Sequence, residues 1–155
     1  MIDHLTLSVA NYEQSRDLYS KVLAPLGYTL LREFMEWKVG GWGDKKPYLW
    51  VKEAQPVTTP QHIAFIAKDR AAVDAFHKAA LALGFKDDGA PGIREVYHPH
   101  YYGAFVIDPL NGHPMEAVCH QPPGGAKAAA TRAKKPKKAA KSKARAKKPA
   151  AKKRR

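Results

Sequence analysis

The sequence predicts an α+β fold. Two βαβββ repeats form an open, mostly antiparallel, barrel-like sheet with helices outside, and a disordered basic tail follows. Three observations carry this. Two segments of the chain align: I-D-H-L-T-L-S-V with the N-Y-E-Q-S-R-D-L-Y-S-K-V-L-A-P-L-G-Y after it, and P-Q-H-I-A-F-I-A with the D-R-A-A-V-D-A-F-H-K-A-A-L-A-L-G-F after it. Within each, the apolar period changes from that of a strand to that of a helix. At Pro122-Pro123-Gly124-Gly125 the composition changes from mixed to Lys, Ala and Pro, and such a dipeptide pair does not continue regular structure.

The elements follow in order. The first strand alternates, with Ile2, His4, Thr6 and Ser8 on one face and Leu5, Leu7 and Val9 on the other. Asn11 is a suitable N-cap for the first helix, whose apolar stripe is Leu18, Val22 and Leu23. Strands are expected at 28–33, 37–39 and 48–52. The second repeat opens on the strand that holds His62. Asp69 caps its helix, and Val73, Phe76, Ala80 and Leu83 form the stripe. Gly27 and Gly84 fall where a helix ends in the left-handed region. Strands at 93–97, 104–108 and 115–119 complete the second half. The two sheets either bury against each other or curl into one open barrel.

The chain has 155 residues, enough for one domain with a real core, placed at residues 1–121 with the tail at 122–155. Its net charge of +13 is unevenly spread. Of 27 basic residues, 15 lie from Lys127 onward, where there is no acid; the rest of the chain holds 12 basic and 14 acidic residues. A nearly neutral body thus carries a dense cationic tail, poor in large apolar residues and therefore expected to be disordered. Such a tail binds polyanions by counterion release, so non-specific nucleic acid is an expected partner; the alternative is a solvated tail. One cysteine, Cys119, excludes an intrachain disulfide and sits in an apolar stretch that points to a structural role. No basic leader with a long apolar run is visible, and no run of about 20 apolar residues that would span a bilayer, so no membrane partner and a cytoplasmic location are expected.

His4 and His62 hold equivalent positions, 58 residues apart. A pseudo-twofold relation between repeats can bring them together. Glu116, in M-E-A-V-C, needs a partner if it faces inward, and a divalent metal is one. Two histidines and a carboxylate on one side of an ion leave positions for substrate. The plainer reading is a hydrogen-bonded strand histidine and a solvent-facing glutamate. Tyr97, His98, His100, Tyr101 and Tyr102 form a polar-aromatic stretch beside this face, and Tyr102 or His100 is favoured as a hydrogen-bonding group near the site. Trp37, Trp42, Trp50 and Tyr48 either wall an apolar pocket or pack the core.

The segments I-D-H-L-T-L-S-V, H-I-A-F and F-V-I-D-P-L-N-G-H-P-M-E-A-V closely resemble the vicinal oxygen chelate superfamily, which includes glyoxalase I, fosfomycin- and bleomycin-resistance proteins and extradiol dioxygenases. The resemblance runs from Met1 to about His120, and its most specific part is D-P-x-x-G-x-x-x-E, from Asp108 to Glu116. It implies a divalent metal (Fe, Mn, Ni, Co or Zn) on His4, His62 and Glu116, a small-molecule substrate with vicinal oxygens, and a homodimer; with Tyr102 and His100 from the reading of the polar-aromatic stretch, Glu116 completes the expected catalytic set. It also implies a glyoxalase-like lyase or isomerase, with a dioxygenase, a thiol transferase or a non-catalytic ligand-binding protein as alternatives. No subfamily fits throughout. Glyoxalase I has a fourth ligand where aligning Pro47 with Pro114 puts Leu49, with Glu53 nearby. The extradiol tyrosine position is Val106, and the basic residues of the thiol transferases are absent around Gly112–Glu116.

Overall fold

Each half of the chain is organised around one capped helix. Asn11 accepts a hydrogen bond from the Gln14 amide (2.9 Å) and Asp69 one from the Ala72 amide (2.8 Å), satisfying amides that a helix start otherwise leaves free. The computed structural model describes residues 2–57 and 60–123, so the tail read from Lys127 onward lies outside the described residues. The order is β1 (Leu5–Val9), α1 (Tyr12–Leu23), β2 (Thr29–Phe34), β3 (Val39–Gly43), β4 (Leu49–Glu53), β5 (Ile63–Ile66), α2 (Arg70–Ala82), β6 (Lys86–Ile93), β7 (Tyr102–Ile107) and β8 (Pro114–Cys119). This is the βαβββ repeat, twice. Gly27 and Gly84 adopt φ of 82° and 86°, as expected after the helices.

The strands form two separate four-stranded sheets, ordered β1-β4-β3-β2 and β5-β8-β7-β6. Each is mixed: β1 runs parallel to β4 and β5 parallel to β8, while the other pairs are antiparallel. No closed barrel forms among the described residues, and β1 and β5 are free edges, as are β2 and β6 at the opposite ends of their sheets. Helix α1 covers one face of the first sheet, α2 one face of the second, and the helices also touch each other. One core results, holding Val9, Tyr19, Val22, Leu23, Val73, Phe76, Val106 and Met115, all without exposed surface. The predicted stripes on both helices are part of it, although Leu18 and Leu83 are only partly buried. Burying side chains of this size stabilises by about 1.5–3 kcal/mol each, before entropy is counted.

Two strand expectations change. The segment 35–37 is a single 3₁₀ turn, and the strand begins at Val39 and runs through Gly40, Gly41 and Gly43. A Cβ at Gly40 would stand 2.4 Å from the Tyr12 hydroxyl, so the strand needs glycine there, where the helix crosses. The strand expected at 93–97 ends at Ile93 and starts back at Lys86. Lys86–Ile93 contains Pro91 and two glycines, which argue against a strand, but β6 is an edge strand, where proline leaves no ladder bond unmade.

A buried polar clasp joins the halves. Asp108 (1% exposed) accepts from the Tyr19 hydroxyl (2.5 Å), from Asn111 Nδ2 (2.9 Å) and from the Leu110 amide (2.7 Å). Asn111 returns to the first repeat through the Ala10 amide (3.1 Å) and Ser15 Oγ (3.2 Å). The fully buried His113 ring accepts from the Gln61 amide and donates to the Ser8 carbonyl. The most specific stretch of the sequence, Asp108 to Glu116, thus starts as a structural clasp and ends at a candidate ligand.

Candidate functional site

The face of the second sheet opposite α2 carries the chemistry. Met115, Ala117 and Cys119 on β8 point into the core, so Glu116 and Val118 point to the open face. The register sets Ala64 of β5 beside Glu116 on one side and Phe105 of β7 on the other. His62, just before β5, brings Nε2 to 3.2 Å from Glu116 Oε2. The other carboxylate oxygen, Oε1, accepts from the Tyr101 hydroxyl. Glu116 is only 4% exposed, so its charge depends on these partners. Burial first, then donation to Glu116, raises the Tyr101 phenol above its ordinary value and keeps it a donor. Gly103 makes room for this pair: a Cβ there would lie 3.1 Å from both Glu116 Oε1 and the Tyr101 ring.

The predicted residues are divided by the fold. His62 and Glu116 meet. His4 lies before β1 on the other sheet, exposed, with Nδ1 2.8 Å from Asp3 Oδ1. Among the described residues no three His, Cys, Asp or Glu side chains gather closely enough to hold one ion. Tyr102 faces the helix side instead: its hydroxyl donates to Asp74 (2.7 Å) and its ring lies under Arg70. His100 is exposed in a turn at φ 72°. The hydroxyl beside Glu116 belongs to Tyr101. The signal was parity: residues sharing the face of Phe105, the partner of Glu116, are Gly103 and Tyr101, whereas Tyr102 shares the core face of Ala104 and Val106.

The register also corrects the comparison of repeats. Leu5 pairs with Leu49 and Ile63 with Met115; one step on, Thr6 pairs with Trp50 and Ala64 with Glu116. The equivalent of Glu116 is therefore Trp50, and Leu49 is a core residue, 3% exposed. Trp50 stacks on Phe34 (6.4 Å), which also meets Trp37 (5.3 Å). Glu53 is occupied elsewhere, accepting from the Tyr12 amide at the start of α1 (3.0 Å) and pairing with Lys38 (2.7 Å). Trp42 is core, 1% exposed. It also borders, with Tyr48, Leu5, Tyr28, Ile63 and Ile66, an apolar cavity of about 480 Å³ by the free edges of β1 and β5.

The donor set suits a divalent metal as far as it goes. Bonds of about 2.0–2.2 Å from imidazole nitrogen and carboxylate oxygen put adjacent ligands of one ion about 3 Å apart, which matches the His62–Glu116 separation. Tyr101 on the second carboxylate oxygen is the outer contact that orients a ligating carboxylate. One further cation lies on this face. The Arg94 guanidinium sits 5.6 Å from the Phe105 ring centre, and that ring is 6.4 Å from His62. Arg94 donates to the Ala90 carbonyl (2.8 Å), and among the described residues no carboxylate pairs with it.

Comparison with solved structures shows the same architecture. A glyoxalase/bleomycin resistance protein from Albidiferax ferrireducens superposes with a TM-score of 0.65 at 24% identity, over 77% of this chain and 98% of that one. The fosfomycin resistance protein of Mesorhizobium loti gives 0.55 at 17%, over 77% and 91%. A glyoxalase-related enzyme from Fulvimarina pelagi gives 0.57 at 17%, over 77% and 87%. No family model matches the chain, and no curated protein matches it in sequence.

Proposed function

Starting from a chain with the fold of the vicinal oxygen chelate superfamily, we propose that this protein is a metal-dependent, glyoxalase-like lyase or isomerase acting on a small molecule with vicinal oxygens. The observation that carries this reading is the pair of His62 Nε2 and Glu116 Oε2, 3.2 Å apart on an open sheet face. His62 and Glu116 hold a divalent ion (Fe, Mn, Ni, Co or Zn). When bound, the ion supplies Lewis acidity to two substrate oxygens. Tyr101 fixes the Glu116 carboxylate by its hydrogen bond. Arg94, with no carboxylate partner among the described residues, holds an anionic group of the substrate against the Phe105 ring.

The third donor comes from a second copy. His4 stands away from His62 and Glu116 within its own chain, beside the free edge of β1, and β5 is likewise a free edge. Exposed Ile2 (82%) and Ile66 (66%) flank those edges and favour coverage in water. The reading is a homodimer in which His4 of one copy joins His62 and Glu116 of the other. Metal analysis of the purified full chain tests it: His62→Ala, Glu116→Ala and His4→Ala should each lower the metal content by about one divalent ion per chain. Full metal content in His62→Ala would overturn the site, and a monomer mass by light scattering at micromolar protein would overturn the shared site.

The tail gives the chain a second activity that does not depend on the first. Fifteen cationic residues from Lys127 onward, with no acid among them, favour non-specific binding of nucleic acid that weakens steeply with salt.

A further inference from the structure

We infer that His98 and His120 form a second metal site, built for a borderline transition-metal dication such as Cu(II), Ni(II) or Zn(II) and distinct from the His62–Glu116 pair. The two rings meet through their nitrogens: His98 Nε2 lies 2.9 Å from His120 Nδ1. His98 Nδ1 is 2.6 Å from the Pro99 carbonyl, which only accepts, so the hydrogen of the neutral ring belongs on Nδ1. That leaves the Nε2 lone pair aimed at His120. A histidine whose outer nitrogen donates to a backbone carbonyl is oriented as a ligand. With bonds of about 2.0–2.1 Å to imidazole nitrogen, two such nitrogens about 3 Å apart fit adjacent positions on one ion.

The surroundings hold both rings in place and leave them reachable. Tyr101 packs edge-on against each, 5.2 Å from His98 and 5.3 Å from His120. The Tyr101 amide bonds the His98 carbonyl (3.2 Å), closing the turn that presents His98. His120 directly follows β8, whose last residue Cys119 is fully buried. Both histidines are exposed, and among the described residues neither pairs with a carboxylate. An ion here ties the 94–101 turn to the end of β8 and sits on the ring of the tyrosine that bonds Glu116. Two protein ligands leave the remaining positions to water or a small ligand. The tail brings no competing imidazole or thiol, since no His or Cys follows His120.

Cu(II) is the probe, because it binds nitrogen sites most tightly among these ions. The experiment titrates Cu(II) into the full-length Glu116→Gln chain, which weakens the first site, and into the same chain with His98→Ala or His120→Ala added. Electron paramagnetic resonance reads nitrogen couplings and calorimetry reads affinity. The parent should bind one Cu(II) with couplings from two imidazoles; each histidine replacement should remove one coupling and weaken binding at least tenfold. His100→Ala should change neither. Equal affinity and unchanged couplings in His98→Ala and His120→Ala would overturn the inference. Thermal melting confirms that these exposed replacements stay folded. A His62→Ala chain with the full metal content of wild type would overturn the first site while leaving this test intact.

Discussion

Replacing Asp108 should cost more stability than its place in a loop suggests. Its carboxylate is 1% exposed and has three good donors: the Tyr19 hydroxyl, Asn111 Nδ2 and the Leu110 amide. Asp108→Ala removes the acceptor and leaves these donors buried, Tyr19 with no exposed surface at all. Each buried donor left without its acceptor costs about 1–3 kcal/mol, so the loss should reach several kcal/mol. Tyr19→Phe removes one bond but leaves Asp108 its donors from Leu110 and Asn111, a loss of about 1–2 kcal/mol. In the double variant no tyrosine hydroxyl is stranded. The combined loss should therefore fall short of the sum by about 1–2 kcal/mol, as coupled neighbours do. Urea unfolding of the four chains, compared at unchanged slope, measures the cycle. Additive losses, or an Asp108→Ala loss under about 1 kcal/mol, would show that the clasp does not hold the halves together.

Further outcomes follow from the same geometry. Tyr101→Phe should weaken metal affinity roughly 10-fold, the scale of losing an outer-shell partner, whereas Tyr102→Phe should leave it unchanged; equal effects in a metal competition assay would contradict the facing assigned here. Glu53 is held below its ordinary value of 4.5 by Lys38 first and the Tyr12 amide second, so its contribution is complete above that value and is lost as pH falls through the lowered one. Melting temperature followed downward from neutral pH should therefore drop less in Glu53→Gln than in wild type. Truncation after Gly125 should leave melting and metal content unchanged and remove most DNA affinity; fluorescence anisotropy with unrelated duplexes at several salt concentrations reads this, and tight binding by the truncated chain would refute it.

The sequence revealed the fold because its signals were local and repeated. Asn11 and Asp69 announced the helices, and the stripe through Val22 and Leu23 or Val73 and Phe76 gave their faces. β3 and β6 were misplaced because their glycines and Pro91 answer to neighbours: Tyr12 crossing above Gly40, and an edge that has no further strand beside it. The site was half legible. Pairing His62 with Glu116 follows from repeat symmetry and one carboxylate among apolar residues. The choice between Tyr101 and Tyr102 depends on which face β7 turns to α2, and alternation settles that only once the Phe105–Glu116 register is known. The distance of His4 from the pair depends on how the two sheets are placed, which no local signal encodes.

The register explains why one copy is chemically lopsided. Equivalent positions hold Glu116 in the second sheet and Trp50 in the first, and their neighbours differ in kind: Phe105 opposite Glu116, Gly41 opposite Trp50. Gly41 leaves the room that Trp50 fills, since a Cβ there would stand 3.0 Å from its ring. The first sheet thus offers an aromatic wall of Phe34, Trp37 and Trp50, and the second offers donors and a cation. An ion on His62 and Glu116 alone would lie on an open face, where water screens it. An aromatic wall brought over it by another copy would exclude water and strengthen its hold on substrate oxygens. On the reading proposed above, two copies would make one enclosed site from these unlike repeats, and a twofold pair would make two such sites at once.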